Sequence, residues 1–138
     1  MYVVTGATGH IGNTVVKYLV DEKKDVRVLL RRVDESIGGL DIDYKIGSVF
    51  EEKFLAQNIA KGDTVIHLAG LIDVKNKQKE ETYRINYLGT KLLVDICLHK
   101  GVKKFIYFST TDVLEKNSDG DFIKEPTHIN PNNFKSNY

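Results

Sequence analysis

Three glycines stand three residues apart in the stretch Val3-Val4-Thr5-Gly6-Ala7-Thr8-Gly9-His10-Ile11-Gly12. They follow a short apolar run and precede an amphipathic segment, so the spacing predicts strand, tight turn and helix. Glycine suits each point for a different reason. One position turns the chain sharply off the strand. One lets backbone N–H groups approach a pyrophosphate with no Cβ in the way, and one lets the helix pack close to the sheet. The start of the helix then offers unpaired amides and partial positive charge to phosphates. That context favours dinucleotide binding over a merely structural turn. A second candidate follows the next apolar run, where Arg31 and Arg32 come directly after Leu30. An acid there would grip the ribose 2′-hydroxyl of NAD and repel the 2′-phosphate of NADP. A guanidinium suits a phosphate in charge and in forked geometry. NADP is therefore the expected cofactor and NAD the alternative, with Arg31 ahead of Arg32 because it continues the strand. Asp34 is the competing acid, and a plain surface pair of arginines is the bland reading.

Such groups need a scaffold, and the hydrophobic pattern supplies one. Strands are expected at 2–5, 26–30, 44–46, 64–69 and 102–109, and helices over 11–24, 50–60 and 80–100. On the first helix Ile11, Val15, Val16, Leu19 and Val20 share one face at helical spacing. Alternating strands and helices imply right-handed crossovers and helices on both faces of a parallel sheet. The expected fold is one α/β domain over residues 1–138, a doubly wound parallel sheet of Rossmann type in three layers. Ligands of such sheets bind at the carboxyl ends of the strands, where the winding reverses. That rule gathers Gly6 to Gly12, Arg31 and Arg32, Leu68 to Gly70, and Ser109 to Thr111.

Composition narrows the partners. The net charge of +1 and the absence of a basic stripe interleaved with aromatics argue against nucleic acid. No apolar run approaches membrane-spanning length, and the chain enters a strand at once with no room for a signal peptide. A cytoplasmic protein is expected. The single cysteine, Cys97, excludes a disulfide framework within one chain and reads as a buried structural thiol. His10, His67, His99 and His128 share no metal-ligand spacing, so no metal is expected. His67, inside a strand, reads as a packed, hydrogen-bonded core residue. Asp41 and Asp43 read as solvated acids at a strand edge.

Four motifs in order resemble the extended short-chain dehydrogenase/reductases. They are the glycine turn, His67-Leu68-Ala69-Gly70, Asn86-Tyr87-Leu88-Gly89-Thr90-Lys91-Leu92-Leu93, and Phe105-Ile106-Tyr107-Phe108-Ser109-Thr110. That group includes NAD-dependent nucleoside-diphosphate-sugar epimerases and dehydratases and dihydroflavonol-reductase-like enzymes. The resemblance covers essentially the whole chain but only the N-terminal portion of the family's usual length. It implies a cofactor-binding part truncated before a C-terminal substrate domain.

The resemblance also implies roles. Gly6, Ala7, Thr8, Gly9, His10, Ile11 and Gly12 correspond to the pyrophosphate turn. Leu68, Ala69 and Gly70 leave room for the cofactor ribose. Asn86 corresponds to an asparagine tying its helix to active-site backbone or water, a solvated asparagine being the alternative. Gly89 and Thr90 correspond to close packing of that helix on the sheet. Thr110 corresponds to the hydroxyl that holds the substrate oxygen; without the resemblance, Ser109, Thr110 and Thr111 read as a polar strand end. Tyr138 corresponds to the general acid/base tyrosine. Its phenol, with an ordinary pKa of about 10, is brought toward working pH by a lysine four residues on. The chain stops before that lysine, so little or no turnover is expected of it alone. Where the family has Gly-Asp after the third strand, this chain has Gly47-Ser48-Val49. Ser48 still makes one hydrogen bond, and Ser48 and Val49 are expected at the cofactor.

The implied activity is hydride transfer between a nicotinamide and a carbinol or carbonyl carbon. The enzyme would be an NAD(P)-dependent reductase, or a nucleotide-sugar epimerase or dehydratase. The substrate would be a small molecule, such as a nucleotide sugar or a carbonyl compound, and a homodimer through the helix at 80–100 is a further expectation. The rival reading is a non-catalytic NAD(P)-sensing regulatory protein on the same fold.

Overall fold

The computed structural model describes residues 1–73 and 77–110. Its strands are β1 (Tyr2–Thr5), β2 (Val26–Leu30), β3 (Asp43–Ile46), β4 (Thr64–His67) and β5 (Lys104–Tyr107). They form one parallel sheet in the order β3-β2-β1-β4-β5, so the winding reverses between β1 and β4. The helices are α1 (His10–Asp21), α2 (Glu52–Asn58), α3 (Lys79–Thr82) and α4 (Thr90–Lys100). A π-helical stretch, Tyr83–Gly89, joins α3 to α4 without a break. A 3-10 turn, Glu35–Ile37, follows β2.

The three inner strands, β1, β2 and β4, are mostly buried and apolar because both faces are covered, while the edge strands β3 and β5 are partly exposed. Successive residues point to opposite sides, and the core divides accordingly. Val4, Val28 and Ile66 join Val16 and Leu19 of α1 in one layer of packing. Val3, Leu29 and Val65 join Leu55 of α2 and Leu93, Ile96 and Cys97 of α4 in the other. The expected three-layer, doubly wound fold is therefore the observed one. Among the described residues no helix is long and apolar enough to cross a membrane.

Several boundaries differ from expectation for local reasons. Helix α1 ends at Asp21 because Lys23 takes a left-handed φ of 54° and the Lys24 amide turns back to Leu19. Helix α2 starts late because the Ser48 hydroxyl accepts the Phe50 amide at 3.2 Å and holds a turn there. Strand β4 stops at His67, where the chain leaves the ladder to meet the glycine turn. Helix α4 ends as expected at Gly101, whose φ of 67° only glycine adopts freely. Ile11 does not join the apolar face of α1. It stands in the helix's first turn, beyond the strand ends, and is 53% exposed. Asp43 is not a merely solvated acid, since its carboxylate pairs with Arg27 at 2.7 Å and Lys45 at 2.8 Å. The Lys45 ammonium, and after it Arg27, hold the Asp43 carboxyl below the usual range against its partial burial.

Candidate functional site

The site begins where β1 ends. Gly6 leaves the strand with φ of 72°, and a Cβ there would lie 2.5 Å from the Ala69 nitrogen and 2.6 Å from the Leu68 oxygen. Glycine is thus required twice at one position, by conformation and by the chain opposite. Gly12, buried in α1, rests on the same turn, and a Cβ on it would collide with the Gly6 carbonyl. The Gly9 amide closes the turn on the Gly6 oxygen at 3.1 Å. Ala7 is buried in the core, while Thr8, Gly9, His10 and Ile11 are exposed.

Helix α1 starts on Gly9 with no side-chain cap. The first turn of any α-helix leaves N–H groups without intrahelical partners, so α1 offers bare donors and the positive end of its dipole at the strand ends. A dinucleotide pyrophosphate fits this place. The backbone is as close to the sheet as it can come, and no side chain occupies the donors.

The loop after β4 faces this turn. Leu68 and Ala69 are half-buried and Gly70 exposed. Asn86, in the π-helical stretch, clamps the loop: its Oδ1 accepts the Leu71 amide at 2.7 Å and its Nδ2 donates to the Leu71 carbonyl at 3.0 Å. Gly89 is buried where a Cβ would stand 3.2 Å from Phe50 and 3.3 Å from Val49. Val49 thus packs toward the helix, and Ser48 caps its own turn. A π-helical turn is rare and recurs at functional sites; here it carries the clamp.

On the other flank, Arg31 and Arg32 follow β2 directly and are exposed at its carboxyl end. Asp34 accepts the Ser36 amide at 2.9 Å, and the Ser36 carbonyl accepts Asn13 of α1 at 2.7 Å. The arginine loop is thereby tied to the helix that follows the glycines. Ser36, through side chain and backbone, holds the Asp34 carboxyl below its usual range, and Arg32 adds to this. The competing acid is occupied as the cap of its own turn.

A cleft of about 270 Å³ opens beside the β4 loop. Ala69, Gly70, Asn86, Tyr87, Ser109 and Thr110 are among the residues that line it. The structure therefore brings Thr110 and Asn86 to one cleft, together with Leu68, Ala69 and Gly70 after β4. Thr111 and Tyr138 lie outside the described residues. Sequence reasoning passed over Thr5 and the partners of His67 at this end of the sheet. The signal was a threonine and a histidine that each close an apolar strand, but nothing marked them as a pair.

The parallel sheet, its reversal between β1 and β4 and the glycine turn at that reversal define a Rossmann-type fold. The sequence pattern of the 3-beta hydroxysteroid dehydrogenase/isomerase family matches residues 3–138, and the chain belongs to that family. It is 29% identical over 129 residues to 3 beta-hydroxysteroid dehydrogenase type 7 of Rattus norvegicus, covering 87% of this chain and 38% of that protein. A crystal structure of a short-chain dehydrogenase/reductase superfamily protein from Agrobacterium tumefaciens, with bound NAD, superposes with a TM-score of 0.71 at 27% identity. The match covers 82% of this chain and 33% of that one. The UDP-glucuronic acid 4-epimerase of Bacillus cereus, solved with NAD, shares the fold with a TM-score of 0.80 at 23% identity, over 94% of this chain and 46% of that one. The chain spans 36% to 38% of the length of the curated relatives it matches. The family is one of hydroxysteroid dehydrogenase/isomerases, and both of these solved neighbours hold NAD.

Proposed function

We propose that this chain is the cofactor-binding part of an NAD(P)-dependent reductase or epimerase that moves a hydride between a nicotinamide and a carbinol or carbonyl carbon. The carrying observation is the glycine turn at the sheet's reversal, where a Cβ on Gly6 would meet Leu68 and Ala69 and α1 starts on Gly9 without a side-chain cap. When bound, the nicotinamide supplies the hydride donor or acceptor. The amides around Gly9 and at the start of α1 hold the pyrophosphate. Arg31 holds the ribose 2′-phosphate, which favours NADP. Asn86 holds the loop that carries Leu68 to Gly70, and so fixes the floor on which the ribose rests. Thr110 holds the substrate oxygen, and Tyr138 passes the proton to or from it. The substrate class is a small alcohol or carbonyl compound, a nucleotide sugar among them.

Calorimetry with NADPH and NADH at low and moderate salt tests this reading. NADPH is expected to bind more tightly, with an affinity that falls as salt rises. Arg31→Ala should cost NADPH about tenfold, the loss of one charge-assisted contact, and leave NADH unchanged. Preference for NADH would overturn the role of Arg31 and keep the site. Binding of neither by the folded chain would overturn the site.

A further inference from the structure

A buried polar link at the last row of the sheet has no part in the function derived so far. Thr5 of β1 and His67 of β4 are partners in register, and His67 pairs in turn with Tyr107 of β5. Thr5 is 0% and His67 1% exposed. Thr5 Oγ1 lies 2.6 Å from His67 Nδ1, and His67 Nε2 lies 2.9 Å from Thr90 Oγ1. The ring also stacks on Tyr107 with centroids 5.8 Å apart. Among the described residues no carboxylate contacts the imidazole, and burial lowers its pKa to about 4, so it is neutral near pH 7. A neutral imidazole has one donor and one acceptor nitrogen. The Ala69 amide donates to Thr5 Oγ1 at 3.4 Å. A single direction of donors then satisfies the set: Ala69 N–H to Thr5, Thr5 O–H to His67 Nδ1, and His67 Nε2–H to Thr90.

The link joins three pieces of the proposed cradle. Thr5 directly precedes Gly6, His67 directly precedes Leu68, and Thr90 lies four residues along the helix from Asn86. Asn86 fixes the far end of the β4 loop at Leu71, and the histidine fixes its near end. We infer that His67 is a positioning residue for dinucleotide binding, setting the separation of the glycine turn and the Leu68–Gly70 loop through Thr5 and Thr90. This rests on the dinucleotide reading above. An apolar residue of similar size fills the space but leaves the buried Thr5 hydroxyl and the half-buried Thr90 hydroxyl to find other partners, and neither strand end is then oriented.

The test measures dinucleotide affinity by calorimetry alongside the melting temperature for the unaltered chain, Thr90→Val, His67→Leu and His67→Gln. Thr90→Val, at a half-buried site and nearly isosteric, keeps the experiment decisive if His67→Leu does not fold. Thr90→Val is expected to weaken dinucleotide binding about tenfold while the chain stays folded at the assay temperature. His67→Gln, which keeps a polar group toward Thr90, should recover part of what His67→Leu loses. Nitrogen NMR of the histidine ring should show the Nε2–H form. Unchanged affinity in folded Thr90→Val and His67→Leu, or a proton on Nδ1, overturns the inference and leaves the dinucleotide site standing. Failure of the unaltered folded chain to bind either dinucleotide overturns both.

Discussion

The two loops that meet at the carboxyl end of the sheet are held in opposite ways. The turn after β1 is held by backbone on backbone, Gly6 against Leu68 and Ala69, and Gly12 against Gly6. The loop after β4 is held by side chains, His67 at its start and Asn86 at Leu71. A backbone contact at its closest approach has no slack, so any added carbon must displace the chain. A hydrogen-bonded loop loses its supports one at a time. Damage to the first should therefore be all or none, and damage to the second graded.

Gly12→Ala should produce the largest effect. The new methyl meets the Gly6 carbonyl, which cannot swing away as a side-chain end could. Dinucleotide binding should fall at least a hundredfold in calorimetry, with about 3 kcal/mol lost from urea unfolding, as for severe overpacking. A variant that binds normally would end the claim that this turn has no slack.

Acid should come next, acting on the second loop. The folded pKa of His67 lies near 4, below the ordinary value near 6.5. Above pH 6.5 the ring is neutral both folded and unfolded, and its contribution is fully present. As pH falls below 6.5 the unfolded chain takes up a proton that the folded chain refuses, so stability falls until about pH 4. The loss across that window is on the order of 3 kcal/mol. Urea melts at pH 7.5 and 4.5 should show it, and His67→Gln should remove that share of the slope. An equal slope in the variant would place the acid sensitivity elsewhere.

Asn86→Ala should be milder. It removes two hydrogen bonds to one residue, about 2 kcal/mol at most, because the freed Leu71 groups are only half-buried. Dinucleotide affinity should drop by about tenfold with the fold intact. Complete loss of binding would mean that the β4 loop is as brittle as the glycine turn, and the contrast would disappear.

The same contrast explains what the sequence revealed. The glycine turn was legible because only glycine fits at positions 6 and 12, and that type is written at fixed spacing. The buried His67 was legible as a packed, hydrogen-bonded residue, from its place in an apolar strand. Its partners were not, because they lie 62 and 23 residues away and threonines are common. Asn86 was singled out by resemblance to a family, since a lone asparagine in a helix carries no signal of its own. The segment at 80–100 was expected as one α-helix. Its π-helical stretch is invisible to periodicity, because Lys79–Thr82 before it are all polar and offer no apolar pattern to interrupt. The arginine loop showed its charges in the sequence, while the pairing of Asp34 with Ser36 depends on a turn that only the folded backbone reveals.

The bare start of α1 has a consequence for order as well as affinity. Most helices begin on a residue whose own side chain accepts a first-turn amide, and Gly9 has none. On the proposed reading, a phosphate oxygen arriving there finishes the helix that receives it. Ligation and local folding then share one equilibrium. Amides from His10 to Gly12 should exchange with solvent more slowly once dinucleotide is bound, and part of the free energy of binding is spent in stilling that turn.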